Sequence, residues 1–418
     1  MAQTALATRC CIAGGGPAGM MLGFLLARAG VDVIVLEKHA DFLRDFRGDT
    51  VHPSTLEVMA ELGVVEDFLK LPHTKLERIG GRINGVPVSI ADLRHLPTRC
   101  KFVAFIPQWD FLNFLAERGT RYPGFRVLMR AAVSDLIVEG ERVTGVRATT
   151  PDGPLEIRAG LVVGADGRHS TVRDRAGFAV QDFGAPIDVL WMRLSKRPGD
   201  QGSVLGYFEA GRLLVTLDRG DYWQCAFVIP KGGFEALRAG EIQVLRDQIG
   251  ELAPFLRDRT QELHGWDDVR LLTVVVDRLK RWYRPGLLCI GDAAHAMSPM
   301  GGVGINLAVQ DAVAAANILA APLRAGTVTE RDLQAVQRRR MFPIRVTQAA
   351  QVFAAARIFG GIAPGAAARP AAGKGPLPWP IRLLQWFPYL QRFPARFIGI
   401  GVRPEHVRTP EFATPRSV

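Results

Sequence analysis

Three acidic residues stand directly after apolar runs, and glycines crowd each of them. In the first, the run Cys10 to Ala13 meets Gly14, Gly15 and Gly16, then Pro17, Ala18 and Gly19. An apolar segment of helical period follows (Met20, Met21, Phe24, Leu25, Ala27), which Gly30 ends, and a second run, Val31 to Leu36, closes on Glu37. Strand, tight turn, helix, strand and acid is the order that holds a dinucleotide. Gly14 permits the turn, Gly16 lets a pyrophosphate approach the backbone, and Gly19 lets the helix pack on the strand. The helix start offers unpaired N–H groups and a partial positive charge to the phosphates. Glu37 is placed for a ribose hydroxyl, which favours FAD or NAD over NADP. Glycine turns also serve ordinary strand–helix corners; the acid at the right distance argues against that here.

The second run is GLVVGADGRHSTVRDRAG, residues 160–177. Its strand, Leu161 to Val163, ends at Asp166, where open α/β sheets bind ligands, although an Asp-Gly turn is the plainer reading. Ser170 is the expected cap of the next helix. The third is LLCIGDAAHAMSPMGGVGINLAVQD, residues 287–311. Asp292 at the strand tip is suited to polyol hydroxyls. The glycine-rich start of the following helix would stabilise a group gaining negative charge, such as a reduced flavin. Taken singly, Asp292 reads equally as a helix cap and His295 as a surface residue.

Between these runs the chain is read in order. Arg47, Gly48 and Asp49 form a loop near the nucleotide strand, with Arg47 either solvated or an anion contact. Ser54 would cap a helix carrying Leu56, Val58, Met59 and Leu62. Residues 76–91 read as short strands with a turn, Phe102–Ile106 as a strand, and Asp110–Arg118 as a helix capped by Asp110. Strands are expected at Arg126–Met129, Val133–Glu139 and Arg142–Thr149. From Pro186 to Pro230 the runs Val189–Leu194, Val204–Glu209, Arg212–Leu217 and Tyr222–Ile229 form an antiparallel meander, one face of a substrate chamber. Glu235–Gln248 reads as a helix and Val269–Val276 as a β-branched strand. Val303–Leu323 carries Asn306, Gln310, Asp311 and Asn317, so it reads as a buried alanine-rich helix and not a membrane span. Pro364–Pro380 is a linker, and the aromatic tail Trp379–Val402 is expected to pack on the protein more readily than to form a partner interface or rest on a membrane.

The chain has 418 residues, 48% apolar and 22% charged, which suits a globular protein of two or three domains. The formal charge of +11 comes from scattered arginines, which gives a nucleic-acid partner little support and leaves attraction to anionic small molecules or membrane surfaces as the milder alternative. Five cysteines without a CxxC pair fit a reduced, cytoplasmic, metal-free protein, and residues 1–8 are too short and polar for a secretory signal.

The three motifs in this order resemble the FAD-dependent aromatic hydroxylases typified by para-hydroxybenzoate hydroxylase, over roughly the first three-quarters of the chain. The resemblance implies an α/β fold: a Rossmann-like FAD-binding domain (1–75, 100–185 and 280–345), an inserted mixed or antiparallel β-sheet substrate domain (76–99 and 186–279) and a helical C-terminal region (346–418). It implies that Gly14, Gly16 and Gly19 hold the FAD pyrophosphate, with Glu37 on the adenosine ribose, and that Pro17, Ala18, Lys38 and Val133 also bind the cofactor. Arg47 and Gln108 would contact the flavin or its ribityl chain, Asp166 would serve FAD and NAD(P)H, and Asp292 would bind the ribityl hydroxyls. Pro299, Gly302, Gly304 and Asn306 would line the flavin ring. NADH or NADPH would reduce the flavin without a second fingerprint, and dioxygen would react to give a flavin hydroperoxide that hydroxylates or epoxidises an aromatic or polycyclic small molecule. A base that takes a phenolic proton is not fixed by any motif; His52, Tyr207, Tyr222 and Arg193 are candidates, each also readable as structural. Flavin halogenases carry WxWxIP, which YWQCAFVIPKG lacks. A flavin-dependent reductase of isoprenoid double bonds and a non-catalytic flavin-binding accessory protein stand as alternatives.

Overall fold

The computed structural model describes residues 4–43, 49–200, 205–209, 211–359 and 376–412. At its centre the strand Thr4–Ala13 lies between Gly153–Gly164 and Val33–Leu36, with Leu287–Cys289 and Phe125–Leu128 outside them, all five parallel. Cys10–Ala13, Val33–Leu36, Leu161–Val163 and Leu287–Cys289 are buried without a break. A parallel strand covered on both faces requires this unbroken apolar pattern. The helices Pro17–Arg28 and Gly304–Ala325 belong to the same core.

The register has a direct consequence for function. Ala13 pairs with both Gly164 and Leu36, and Gly164 pairs with Cys289. The chain therefore leaves the sheet at Gly14, Glu37, Ala165 and Ile290 in one row, at the carboxyl edge where such sheets bind ligands. An antiparallel hairpin, Ala132–Glu139 and Arg142–Thr150, extends the sheet on the far part of Gly153–Gly164.

A second sheet has seven strands in the order Arg270–Leu272, Ile187–Ser195, Tyr222–Pro230, Arg212–Asp218, Leu205–Glu209, Arg78–Ile83 and Val86–Asp92. Its pairs are antiparallel except for one parallel contact, Leu205–Glu209 with Arg78–Ile83. One face (Leu190, Met192, Tyr207, Leu214, Trp223, Cys225) packs under the helix Ile242–Leu252 and the turn-like run Pro254–Glu262. The opposite face (Val189, Trp191, Val215, Ala226) meets Met300 and the helix Glu330–Phe359.

Local expectations fail where capping and pairing compete. The helix Pro53–Glu61 is entered through His52 with Pro53 in its first turn, so Ser54 is inside it and is not its cap. The helix Gln108–Thr120 starts after Pro107, which puts Asp110 in its first turn. Within Val269–Val276 only Arg270–Leu272 finds a partner strand; the chain next pairs at Asp277–Leu279, with Val180–Asp182. Glu235–Gln248 is broken into Phe234–Arg238 and Ile242–Leu252 around Gly240. The helix Gly304–Ala325 is largely buried, as its alanine content suggested, and Gly326 ends it in the left-handed region. Most of Pro364–Pro380 lies outside the described residues. All five cysteines are buried free thiols.

Candidate active site

Gly14 has φ +107°, and a methyl group there would overlap the Ala165 carbonyl, so the first and second motifs touch through bare backbone. Gly16 differs. Its φ is an ordinary −76°, and beyond its chain neighbours no atom of the described residues lies within 4 Å of where a Cβ would stand. Gly16 enters the helix Pro17–Arg28, Pro17 takes its first turn, and no side chain caps it. Open space above an uncapped helix start fits a pyrophosphate. Ala18 is buried, and Gly19 lies against the Gly14 carbonyl.

Glu37 is only 8% exposed. Its Oε2 accepts from the Gly15 N–H at 3.1 Å and its Oε1 from the His39 N–H at 3.0 Å. The carboxylate thus ties the second strand to the glycine turn. Lys38 beside it is exposed. The Ala131 N–H donates to the Glu37 carbonyl at 2.9 Å, which brings the segment leading to Val133 alongside. Arg47 lies outside the described residues.

Asp166 is used locally: it accepts from the Ser170 hydroxyl and from the Val172 N–H (3.1 Å) at the start of Thr171–Arg175. Burial pushes its carboxyl upward against those bonds. Ser170 caps that helix, as expected, by accepting from the Arg173 N–H at 3.0 Å.

At the third motif Asp292 remains partly open, its nearest cation being Arg168 at 3.9 Å. The turn that carries it is held from behind. The Gly291 N–H donates to Asp311 Oδ2 at 3.0 Å, and His295 Nε2 and Arg340 Nε contact the same carboxylate at 2.5 and 2.8 Å. Burial alone would raise Asp311; His295 and Arg340 outweigh it and hold the carboxyl below the usual range. His295 is therefore an interior residue, 1% exposed against Trp282, and the surface reading is corrected.

After Pro299 the loop runs through Gly301 and Gly302, at φ +80° and +64°, to the helix start at Gly304, which again lacks a capping side chain. Thr50 Oγ1 donates to the Gly302 carbonyl at 2.7 Å. Asn306 Oδ1 accepts from the His52 N–H (2.9 Å) and the Thr55 hydroxyl (2.7 Å), and its Nδ2 faces the Thr50 and Gly302 carbonyls. The Asn306 amide thus fastens the loop to the segment beginning at Thr50. Gln351, which no motif signalled, donates to the Ser298 and Met300 carbonyls, each at 2.9 Å.

These loops fit FAD: open space over Gly16, two uncapped helix starts, and an open carboxylate between them. Asp292→Ala is expected to weaken FAD retention about 10- to 100-fold, the value of a hydrogen bond to a charged acceptor. An unchanged flavin-to-protein ratio after gel filtration would remove Asp292 from the cradle.

Facing this row lies the inner face of the second sheet. Strand alternation sorts the candidate residues. Tyr207 points to the outer, helix-covered face and packs with Phe255, so the structure separates it from the cradle. Arg193 stands opposite Gln224 on the inner side and reaches diagonally to Tyr222, its guanidinium 3.8 Å from the ring centre. Together with Asp49, Pro107, Trp109, Arg219 and Gln224 they line a cavity of about 20 Å³. Asp49 and Arg219 form a buried ion pair, 9% and 6% exposed. The Gln108 N–H donates to Asp49 at 3.3 Å and Arg219 Nε to Gln224 Oε1 at 2.9 Å. Gln224 Nε2 is buried and, among the described residues, makes no hydrogen bond of full geometry, although the Gln224 side chain lies close enough to Asp49 to help hold its carboxylate. Asp49, Arg219 and Gln224 were missed by sequence reasoning. His52 is enclosed and donates from Nδ1 to the Ile398 carbonyl at 2.8 Å.

Burial pushes Asp49 up to about 6 despite Arg219 and Gln108, and pushes His52 down to about 4. Their effects on stability oppose each other. Folded Asp49 holds a proton that the unfolded chain has released between pH 3.8 and 6, so its contribution strengthens as pH falls through that range. His52 stays neutral while the unfolded chain takes up a proton below 6.5, so its contribution is lost as pH falls from 6.5 toward 4. At 1.36 kcal/mol per pH unit, each amounts to about 3 kcal/mol. Asp49→Asn should therefore steepen the loss of stability in acid and His52→Gln should shallow it. Urea melts at pH 4.5 and 7 check this, and identical pH slopes in the three proteins would refute it.

A family model described as an FAD binding domain matches residues 7–350. The chain is 34% identical to 6-methylpretetramide 4-monooxygenase of Streptomyces rimosus, over 86% of this chain and 88% of that protein. It is 30% identical to a rifampicin monooxygenase of Streptomyces venezuelae, over 72% of this chain but only 61% of that longer protein. Among solved structures, OxyS anhydrotetracycline hydroxylase from Streptomyces rimosus superposes with a TM-score of 0.70 at 23% identity, covering 94% of this chain and 76% of the other.

Proposed function

The chain belongs to the FAD-dependent aromatic monooxygenases, and from that premise we propose that it hydroxylates or epoxidises a polycyclic aromatic molecule of the polyketide type, using NAD(P)H and dioxygen. The relatives named for 6-methylpretetramide and rifampicin support that substrate class. One observation carries it furthest: on the inner face of the second sheet an apolar stretch, Trp191, Val215 and Leu217, runs into a polar end, Arg193, Tyr222 and Gln224, beside the small cavity, and the two would suit the rings and the oxygens of such a molecule.

When bound, FAD would supply the redox chemistry between NAD(P)H and dioxygen. The side chains do the rest. Gly16 and the start of Pro17–Arg28 would hold the phosphates, Glu37 with Lys38 and Val133 would border the adenosine, and Asp292 would take the polyol hydroxyls. Arg47 and Gln108 would contact the flavin end. The loop Pro299 to Gly304, held by Thr50, Asn306 and Gln351, would present its N–H groups to the ring. Met300 and Trp191 pack in one cluster and would exclude water between cradle and chamber. Gln224 Nε2, which makes no hydrogen bond of full geometry among the described residues, is a donor that a substrate oxygen would satisfy.

The test is NADH and NADPH oxidation with oxygen uptake, measured on FAD-loaded protein against a panel of fused-ring phenols. A panel member that accelerates flavin reduction and gains an oxygen atom supports the reading. Saturation of an isolated double bond without oxygen would replace it with a reductase, and no turnover with any donor would leave an accessory flavoprotein.

A further inference from the structure

The formal charge of +11 is not evenly spread. From Leu333 to Pro404 the chain contains no Asp or Glu, but ten arginines and one lysine. That stretch alone carries the whole surplus, and the remaining residues balance. It also carries most of the exposed aromatic surface. Of the large apolar side chains exposed among the described residues, Trp379 (74%), Trp386 (65%), Phe387, Tyr389 and Phe393 come from one short segment.

That segment is fixed in place. The helices Trp379–Trp386 and Arg392–Gly399 lie on the edge strand Val86–Asp92. Gln385 accepts from the Ser89 N–H at 3.2 Å and donates to its carbonyl at 2.8 Å, replacing a missing neighbour strand. The Ser89 hydroxyl donates to Gln391 at 2.9 Å. The inner face is buried through Ala395 and Gly399, and Ile398 reaches His52. Trp379 and Trp386, seven residues apart, share the outer face. Arg382 lies over the Trp386 ring and Arg392 over Tyr389; among the described residues no carboxylate forms an ion pair with Arg382, Arg392 or Arg396.

We propose that this face rests on an anionic lipid surface. Trp, Tyr and Phe with interleaved arginines are the residue types that lie at the headgroup level, where rings enter the acyl boundary and cations meet phosphates. A protein partner of opposite charge would satisfy the arginines but leave five bulky rings needing a deep, shaped counterpart. The neighbouring residues 360–375 supply a single large apolar side chain, Ile362, which is too little to cover the rings. The face adjoins the chamber wall, so an apolar molecule dissolved in the lipid would lie close to the enzyme; the proposal stands whatever the substrate proves to be.

The experiment is flotation of the full-length, FAD-loaded protein with vesicles of phosphatidylcholine alone or containing about 30% phosphatidylglycerol. Binding is expected only to the anionic vesicles and should weaken about tenfold when salt rises from 0.1 to 0.5 M, as the Debye length shortens. Trp379→Ser with Trp386→Ser should abolish flotation, and Arg382→Glu with Arg392→Glu should do likewise, while flavin content and thermal melting stay unchanged. No flotation of the wild type, flotation that survives both double variants, or a concentration-dependent dimer that the tryptophan variant dissolves would each overturn the proposal.

Discussion

Gly16→Val should give a folded protein that fails to hold FAD. The position has an extended backbone that valine adopts readily, and beyond its chain neighbours no atom of the described residues lies within 4 Å of the added Cβ. The cost to the apoprotein is confined to a poorer helix entry, about 1 kcal/mol. The space the side chain fills is the space the pyrophosphate needs, and the phosphate oxygens would lose the helix N–H groups as well. FAD affinity should fall at least about 100-fold, equivalent to about 3 kcal/mol. Gly14→Ala is the contrast: there the new methyl overlaps the Ala165 carbonyl at a positive φ, so folding itself suffers. Thermal melts with and without added FAD separate the two. The assignment fails if Gly16→Val retains flavin like the wild type.

The second large effect is expected at Arg219. Its pairing with Asp49 is enclosed on both sides, and removing the cation leaves the carboxylate with the neutral donors of Gln108 and Gln224 beside it. Arg219→Met should cost about 3–5 kcal/mol at pH 7, because an uncompensated buried charge costs more than the pair contributes. The loss should shrink toward pH 5, where Asp49, already pushed up by burial and now without Arg219, takes up a proton. Asp49→Asn with Arg219→Met should recover most of the stability. Urea melts of the four proteins at pH 7 and 5 form the cycle; equal losses in the single and double variants would show that packing, not charge, governs the site.

The two sites differ in how far the sequence announced them. The cradle was legible because each loop announces itself locally: glycines where the chain must turn or a ligand must approach, an apolar run before them and an acid after. Parallel pairing then places all three loop starts at one edge, and that alignment needs only the order of the strands. The chamber offered no such signal. Val189–Leu194 is apolar on both faces because helices cover one side and the cofactor domain meets the other, so alternation could not say whether Tyr207 or Tyr222 looks inward. Asp49 and Arg219 are 170 residues apart and meet only when the two sheets oppose each other. Asp311 read as a polar interruption in a buried helix and Gln351 carried no signal at all; they are the supports of the turns carrying Asp292 and Met300. The arginines seemed scattered because their even spacing hid the absence of any acid between them.

The central claim is that loops from three strands hold one FAD against a chamber that receives an aromatic substrate, and that oxygen passes between them. It is tested most directly by mass spectrometry of the product formed under oxygen-18 gas by the FAD-loaded enzyme, NAD(P)H and a fused-ring phenol that speeds flavin reduction. The account predicts one atom of heavy oxygen in the product, with Gly16→Val forming none. A product that carries oxygen from water, or that forms equally well without dioxygen, would contradict it.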